Sequence, residues 1–384
     1  MAVHFPDLVQ AMIEQEASDL HLTAGSPPMI RVRGRLAPVG EDVMDVATCR
    51  ELVYGLLSTT QRQRLETERQ VDFAYPVPGV ARFRVNAFQQ RGATGAALRL
   101  IPDRIRTLAE LGLPEVLTDL TEKPRGLVLV TGPTGSGKTT TLAAMIDRIN
   151  ENRHDHILTI EDPIEVLHPH KGCIVNQREL GTDAPSFSLA LKAALRQDPD
   201  VILVGEMRDL ETMGTALTAA ETGHLVYATL HTQDAPQTVD RIIDSFPAAQ
   251  QNQVRMQLAA ALQGVVCQQI LPTADGLGRC AALEVMIPTA AIRNLIREGK
   301  THQLRSAIQT GARYGMQTLE ASLVELVNAG KLSRAVAETR ANDVSDFRRL
   351  LEKAVDPRET QRAGIDAVGG APPVGDDAPQ LTAI

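Results

Sequence analysis

Apolar and polar positions in residues 1–105 follow the periods of short helices and strands. A short amphipathic helix is expected at about 7–17, and helical periodicity covers about 48–68. Polar–apolar alternation predicts a strand in SDLHLT, and MIRVRG followed by RLAPV predicts a hairpin around Gly34. Three more strand-like runs follow, VDFAYPV, ARFRVNAF and GAALRLI. Helices combined with mostly antiparallel strands predict a small α+β module.

The pattern changes at residue 126 to short, continuous apolar runs separated by helical stretches. Runs rich in Val, Ile and Leu are typical of a parallel sheet that is buried on both faces. The chain therefore predicts an α/β fold of the doubly wound, RecA-like kind up to about residue 300. The strand-like runs are GLVLVTG, ILTIED, VILVGE and HLVYATL, and the helical stretches are LALKAALRQ, TALTAAETG and QVRMQLAAALQGVV.

These patterns divide the chain into four parts. We predict an N-terminal domain over 1–105, a connector with a short helix over 106–123, and a RecA-like domain with C-terminal helices over 124–350. AIRNLIREGK and TLEASLVELVNAG are two of those C-terminal helices. The remaining 351–384, which includes GGAPPVGDDAP, is predicted to be disordered because it has few apolar side chains to bury.

Composition is that of a soluble globular protein, with 43% hydrophobic and 22% charged residues in 384. No apolar run approaches the roughly 18–20 residues that a bilayer span needs. The N-terminal stretch is acidic and is interrupted by Pro6, unlike a signal peptide. We therefore expect a cytoplasmic protein.

Charge and cysteine usage exclude several classes of function. A net charge of −8, 3% aromatic residues and no tryptophan disfavour a broad nucleic-acid surface, so no nucleic acid is expected as a partner. The four cysteines form no CxxC pair, which argues against a disulfide framework and against a tetracysteine zinc site.

A phosphate-binding loop is the clearest motif in the chain. GPTGSGKT at 132–139 matches the GxxxxGK[ST] pattern between a predicted strand and a predicted helix. The glycines permit a tight turn whose amides face a phosphate, and the helix N-terminus favours the same anion. Lys138 can reach the β- and γ-phosphates and Thr139 can bind magnesium, so ATP and Mg²⁺ are the expected cofactors. The predicted nucleotide-binding residues are Gly132, Pro133, Thr134, Gly135, Ser136, Gly137, Lys138, Thr139 and Thr140.

Acidic residues follow two other predicted strands. Glu206 ends VILVGE and should lie beside the phosphate-binding loop, where it could hold the water shell of the metal or polarise water. TIEDPIEVLH ends another strand with Glu161, Asp162 and Glu165. A helix cap or turn after Pro163 is the alternative for at least one of them. The residues alone leave the general base open among Glu161, Glu165 and Glu206.

Histidines and arginines add less specific signals. His231 ends a strand and could contact the γ-phosphate, whereas His224 before that strand is as readily a structural histidine. Arg82 and Arg84 share one face of a strand and Arg99 follows on the next; they either solubilise an edge or supply an arginine finger. Two HxH pairs favour surface loops over a metal site: His154, His156, His168 and His170.

Taken in order, the motifs resemble one family, the type II/IV secretion ATPases, and within it the PilT-type pilus retraction motors. GPTGSGKTTTLAAMID, HILTIEDPIEVLH, DPDVILVGEMRDLET and AAETGHLVYATLHT are similar to its Walker A motif, Asp box, Walker B motif and His box. ASDLHLTAGSPPMIRVRG resembles its PAS-like N-terminal domain, and AIRNLIREGK resembles the signature of retraction motors. The resemblance extends to about residue 350.

The resemblance implies a homohexameric ATPase that powers type IV pilus retraction by depolymerising pilin. It implies an inner-membrane platform protein as partner, a paralogous retraction ATPase as a further partner, and peripheral association with the inner membrane. It assigns Glu206 as the Walker B acid, Glu165 as the activating base and His231 as the His-box residue, with Arg84 and Arg99 brought to the nucleotide. The magnesium residues it implies are Thr139 and Glu206, with Glu206 binding either directly or through water.

Two branches of the family remain as alternatives. Assembly motors usually carry a paired-cysteine zinc motif after the His box, whereas only Cys267 and Cys280 occur in that region, which favours retraction. Three stretches resemble the accessory subunits of the PilU type: HKGCIVNQREL, QILPTADGLGR and ANDVSDFRRLL. AIRNLIREGK instead favours the primary motor.

Overall fold

The computed structural model describes residues 4–32, 34–78, 80–101 and 104–355. Its strands form two sheets, one in the N-terminal part of the chain and one in the part that follows the connector. Most of the predicted tail, from residue 356 on, lies outside the described residues. The four-part division of the chain stays a prediction.

The first sheet is antiparallel throughout, as the alternation in the first 105 residues predicts. Its strands lie in the order β3–β2–β1–β6–β5–β4. Buried side chains of its strands and helices, such as Leu20, Phe83 and Met12, form one core. The elements are α1 Phe5–Glu14, β1 Asp19–Leu22, β2 Met29–Val32, β3 Arg35–Pro38, α2 Val46–Gly55, α3 Thr59–Glu68, β4 Gln70–Val77, β5 Ala81–Gln90 and β6 Ala93–Ile101.

The helical periodicity over 48–68 contains two helices rather than one. α2 ends at Gly55, and α3 begins after Ser58, whose side chain accepts a hydrogen bond from the backbone of Gln61. The Gln61 side chain in turn accepts from the Ser58 backbone, which completes a capping box. This reciprocal cap starts a new helix because it satisfies amides that the first turn leaves unpaired.

The second sheet confirms the predicted α/β fold. Its strands lie in the order β13–β12–β7–β11–β10–β8–β9, all neighbours being parallel except the edge pair β12–β13. Every residue of β7, β10 and β11 is buried, as their continuous apolar runs predict. The elements are α4 Val116–Thr121, β7 Gly126–Thr131, α5 Lys138–Asn152, β8 His156–Glu161, β9 Ile174–Glu179, α6 Phe187–Ala194, β10 Val201–Val204, α7 Leu210–Glu221, β11 Leu225–Leu230, α8 Ala235–Asp244, α9 Ala248–Ala261, β12 Leu262–Pro272 and β13 Arg279–Met286.

One predicted helix was wrong in its last five residues, 262–266. QVRMQLAAALQGVV is helical only to Ala261, and the chain continues without a loop into β12 from Leu262. Periodicity cannot separate a buried strand from a buried helix when no turn residue intervenes. β9, β12 and β13 were not predicted, and they make the sheet wider and mixed.

The helices after β13 pack in two groups, one against α9 and α8 and one against the edge strand β13. AIRNLIREGK and TLEASLVELVNAG form helices as predicted. Arg293 joins the first of these helices to the end of α9, where its Nη1 donates to Ala260 O at 2.8 Å. The elements are α10 Ala290–Arg297, α11 Leu304–Gln309, α12 Leu319–Asn328, α13 Arg334–Arg340 and α14 Val344–Val355, with 3₁₀ turns at Thr301–Gln303 and Ala312–Tyr314.

A buried carboxyl group on β13 makes stability depend on pH. Glu284 is 5% exposed and accepts a hydrogen bond of 2.7 Å from the Ala235 backbone at the start of α8. Burial raises the pKa of Glu284 to about 7, the Ala235 hydrogen bond and Arg305 oppose that shift, and the charges of Asp234 and Glu320 add to it. The folded protein therefore holds this proton more tightly than the unfolded chain. The resulting stability is complete below about pH 4.5 and is lost as the pH rises through 7.

We expect Glu284→Gln to raise the free energy of unfolding at about pH 8 by on the order of 2–3 kcal/mol, because glutamine keeps the acceptor without a charge. The gain should shrink toward about pH 5, where the parent is protonated. Denaturant unfolding at the two pH values measures it. Glu325→Gln, a change at an exposed carboxylate of α12, is the control. An equal difference at both pH values would contradict the prediction.

Candidate nucleotide-binding site

A cleft of about 590 Å³ lies between the two sheets, at the carboxyl ends of the parallel strands. The parallel order β7–β11–β10–β8 brings the loops after these strands to one edge. The first sheet contributes the end of β6 and an arginine of β5. Predicted site residues that line the cleft are Arg84, Arg99, Thr134, Gly135, Ser136, Gly137, Lys138, Thr139, Thr140, Glu165, Glu206 and His231.

The phosphate-binding loop joins β7 to α5 and depends on glycine at both ends. Gly132 has a φ of 140°, and a Cβ placed there would lie 2.3 Å from the main-chain oxygen of Gln268. Gly137, which precedes α5, has a φ of 83°, and a Cβ there would lie 2.8 Å from Gln268 Nε2. A side chain at either position would meet both backbone strain and a collision. These glycines therefore allow β12 to support the loop at close range.

Lys138 is the first residue of α5 and folds back over the loop. Its Nζ donates to Gly132 O at 2.8 Å and to Pro133 O at 3.2 Å. Burial lowers the pKa of Lys138, while the charges of Glu206 and Glu165 act in the opposite sense. The carbonyl groups of Gly132 and Pro133 thus hold the lysine against the loop, and the negative charges of Glu206 and Glu165 favour its protonated form.

Glu206, just after β10, sits among three cationic or protonatable groups. Arg208 Nη2 lies 2.7 Å from its Oε2, and His231 Nε2 lies 3.1 Å from its Oε1. Burial alone would raise the pKa of Glu206, but the hydrogen bond from Arg208 and the charges of Arg208, His231 and Lys138 lower it. Glu206 is consequently a carboxylate that stays ionised, suited to a metal's water shell.

The carboxylates of the Asp box occupy different environments. Glu161 is 8% exposed, and its Oε1 accepts hydrogen bonds from Thr159 Oγ1 at 2.6 Å and Gln177 Nε2 at 3.0 Å. Burial raises the pKa of Glu161 despite these bonds. Glu165 instead faces the first sheet, where Arg84 Nη1 donates to its Oε1 at 2.8 Å. Glu161 is thereby an internal, hydrogen-bonded group, and Glu165 is the one in contact with an arginine across the cleft.

The three arginines named from sequence have separate partners. Arg84 pairs with Glu165, and Arg82 Nη2 lies 3.6 Å from Glu179 Oε2, so two ion pairs connect β5 with the second sheet's part of the chain. Arg99 lines the cleft, but its Nε donates to Asp19 Oδ1 at 2.9 Å within the first sheet. Its side chain remains 72% exposed. The arginine-finger role stays a prediction for both Arg84 and Arg99.

The other histidines have structural contacts. The Nδ1 of His224 lies 3.0 Å from Ala219 O at the end of α7. His168 lines the cleft, and burial lowers its pKa to about 4, so it is neutral at physiological pH. Within the described residues, no group of three or more His, Cys, Asp or Glu side chains is arranged to hold a metal ion.

Three residues that the sequence did not single out organise the site. Arg208 pairs with Glu206. Gln177 donates to Glu161 and to Val166 O, and it accepts from the His168 backbone, so it holds the Asp-box segment in place. Gln268, on β12, donates a hydrogen bond to Ser136 O in the phosphate-binding loop. Arg208 could have been predicted from sequence, because it lies two residues after Glu206. Gln177 and Gln268 could not, because they lie on strands that were not predicted.

The sequence of this chain matches one known protein family over most of its length. Residues 4–366 match the family described as type II/IV secretion system protein. The chain belongs to the type II/IV secretion system protein family.

Two members of this family from Pseudomonas aeruginosa are similar over most of their length. The "Type IV pilus retractation ATPase PilT" is 53% identical over 341 residues, 89% of this chain and 99% of the relative. The "Type IV pilus ATPase PilU" is 45% identical over 350 residues, 91% of this chain and 92% of the relative. The resemblance to PilT-type retraction ATPases is thereby confirmed.

A solved structure of a family member agrees with the fold. The crystal structure titled as the pilus retraction motor PilT with bound ADP is 49% identical, with a TM-score of 0.85, and covers 90% of this chain and 99% of that chain. The bound ADP shows that a protein with this fold uses nucleotide. The PAS-like assignment of the first module stays a prediction.

Proposed function

We propose that this chain is a hexameric ATPase motor that powers type IV pilus retraction by coupling ATP hydrolysis to pilin depolymerisation. The observation that carries the proposal is the meeting of Lys138, Glu206 and Glu165 with Arg84 of the first sheet in one cleft. The 53% identical relative is named for pilus retraction, and the structural neighbour is a retraction motor with bound ADP.

The residues present fit ATP and magnesium. The crowded glycines of the loop leave main-chain amides as its binding groups, which suits phosphate oxygens. The hydroxyl of Thr139 and the ionised carboxylate of Glu206 are hard oxygen donors, the kind that magnesium prefers. When bound, Mg²⁺ neutralises charge that develops on the phosphates. Thr139 would hold it directly and Glu206 through water.

Each remaining group has a chemical task in the proposed reaction. Lys138 would exchange the carbonyls of Gly132 and Pro133 for phosphate oxygens and stabilise their charge. Glu165 would accept a proton from the attacking water, a role for which Glu161 is less accessible. His231 contacts Glu206, so a change in its contact with the γ-phosphate would change its interaction with that carboxylate. Arg84 and Arg99 would neutralise charge from the side of the first sheet.

The two ion pairs between β5 and the part of the chain that carries the second sheet suggest how hydrolysis produces motion. Arg84 is bound to Glu165, so a γ-phosphate that attracts Arg84 competes directly with this pair. Arg82 and Glu179, whose side chains are 15% and 13% exposed, form a second connection between the same two parts. Contacts made with ATP and lost after hydrolysis would thus alternate the relative position of the first module and the loop.

The assembly and location follow from the same proposal. We infer a homohexamer, an inner-membrane platform protein as the docking partner, and a position on the cytoplasmic side of the pilus base. A paralogous retraction ATPase is a further partner in this proposal, which is supported by the presence of both a PilT and a PilU relative in Pseudomonas aeruginosa. Among the helices that the structure describes, none combines the length and the apolarity needed to cross a bilayer.

Deleting the gene in a piliated cell tests the proposal. Loss of twitching together with excess surface pili is the expected result, because extension would continue without retraction. Complementation with the parent chain should restore motility, and complementation with Lys138→Ala should not. Near-normal twitching under low load would instead support an accessory subunit of the PilU kind, the second candidate.

A further inference from the structure

Gln268 lies on β12 directly beneath the phosphate-binding loop. β12 runs parallel to β7 with Cys267 beside Thr131, so Gln268 comes next to Gly132, the first residue of the loop. Its main-chain oxygen would be 2.3 Å from a Cβ on Gly132. This close approach leaves no room for a side chain at Gly132. The loop therefore packs directly against the main chain of β12.

The side chain of Gln268 connects the loop to the helix that follows it. Its Nε2 donates to Ser136 O at 2.7 Å, and its Oε1 accepts from Thr141 Oγ1 at 2.7 Å. Gln268 is 3% exposed and Thr141 is 1% exposed, so both bonds are shielded from water. The hydroxyl of Thr141 therefore fixes the orientation of the Gln268 side-chain amide. That amide in turn fixes the direction of the Ser136 carbonyl.

Holding Ser136 O determines the direction of the next amide. In a planar trans peptide, the carbonyl oxygen and the following N–H point in opposite directions. With Ser136 O held toward Gln268, the N–H of Gly137 points to the other side, where Gly137 and Lys138 line the cleft. We propose that Gln268 is a positioning residue that holds the loop amides in the orientation that binds a nucleotide phosphate. This inference rests on the ATPase function proposed above.

A purely structural role for Gln268 makes a different prediction. A buried polar pair that only stabilises the fold would lower the melting temperature when removed and leave nucleotide affinity unchanged. A positioning residue changes the affinity, because loop amides that are no longer oriented must be ordered when the phosphate binds. Melting temperature without nucleotide and affinity for ADP therefore distinguish the two roles.

The test measures the Kd of the full chain for ADP by calorimetry, together with the melting temperature. Gln268→Met removes both hydrogen bonds, and we expect the Kd to rise roughly tenfold, because loop amides that these bonds no longer orient must be ordered when the phosphate binds. Gln269→Met is the matched control: this neighbour on β12 is half-buried and faces away from the loop, so its Kd should stay within about twofold of the parent.

A second pair of variants keeps the test decisive if Gln268→Met does not fold. Thr141→Val loses the bond to Gln268 and should raise the Kd, whereas Thr141→Ser keeps the hydroxyl and should restore it. The double variant Gln268→Met with Thr141→Val should bind no more weakly than Gln268→Met alone, because both act through one contact. Parental affinity in a folded Gln268→Met or Thr141→Val protein would overturn the inference. A parent chain that does not bind ADP would instead overturn the proposed ATPase function.

Discussion

Lys138→Ala is expected to abolish ATP hydrolysis, with a loss of roughly 10²–10³-fold or more in kcat. The lysine contacts the loop carbonyls of Gly132 and Pro133, and the charges of Glu206 and Glu165 act on it. Without it, two carboxylates face the phosphates with no cation from the loop to offset their repulsion. Steady-state hydrolysis and ADP affinity should both be measured, since weaker binding and slower chemistry are expected together.

Lys192→Ala is the matched control for this loss. Lys192 lies on α6, is about half-exposed and pairs with Glu211 outside the cleft, so its removal should leave hydrolysis at the parental rate. Parental turnover by a folded Lys138→Ala protein would contradict the assignment of the loop as the site of catalysis.

Glu206→Gln is expected to bind ATP with near-parental affinity and to turn over roughly 10²-fold more slowly. Glutamine keeps the length of the side chain and an oxygen that Arg208 can contact, but it cannot attract His231 or a metal as a carboxylate does. Because the pKa of Glu206 is lowered, the parent should keep this carboxylate ionised down to moderately acidic pH. Activity above that range should not fall through protonation of Glu206.

Single-turnover hydrolysis and ATP affinity, both measured on the Glu206→Gln protein, show whether the change slows the chemical step and leaves binding intact. Glu211→Gln on α7 serves as the control, since Glu211 is exposed and pairs with Lys192. If Glu206→Gln hydrolysed ATP at the parental rate, Glu206 would have no part in the mechanism. If it failed to bind ATP at all, its role would be in binding and not in the chemical step.

Much of the fold could be predicted because the second sheet carries its own signal. β7, β10 and β11 are buried on both faces, and burial on both faces requires the continuous apolar runs that identify them. β12 escaped prediction for a physical reason. It continues directly from α9 at Leu262, and with no turn residue at the junction the apolar residues on either side are compatible with helix or strand.

Sequence alone determined where the glycine loop and the acids and histidine after the strands lie in the chain, and it predicted their role, because each lies within a short motif whose spacing expresses local geometry. The tertiary structure decided which of these groups touch. It paired Arg84 with Glu165 across 81 positions and placed Gln268, 127 positions after Thr141, under the loop. It also separated the buried Glu161 from the accessible Glu165. Such contacts depend on strand order and on how the two sheets pack, and neither is encoded in the spacing of a local motif.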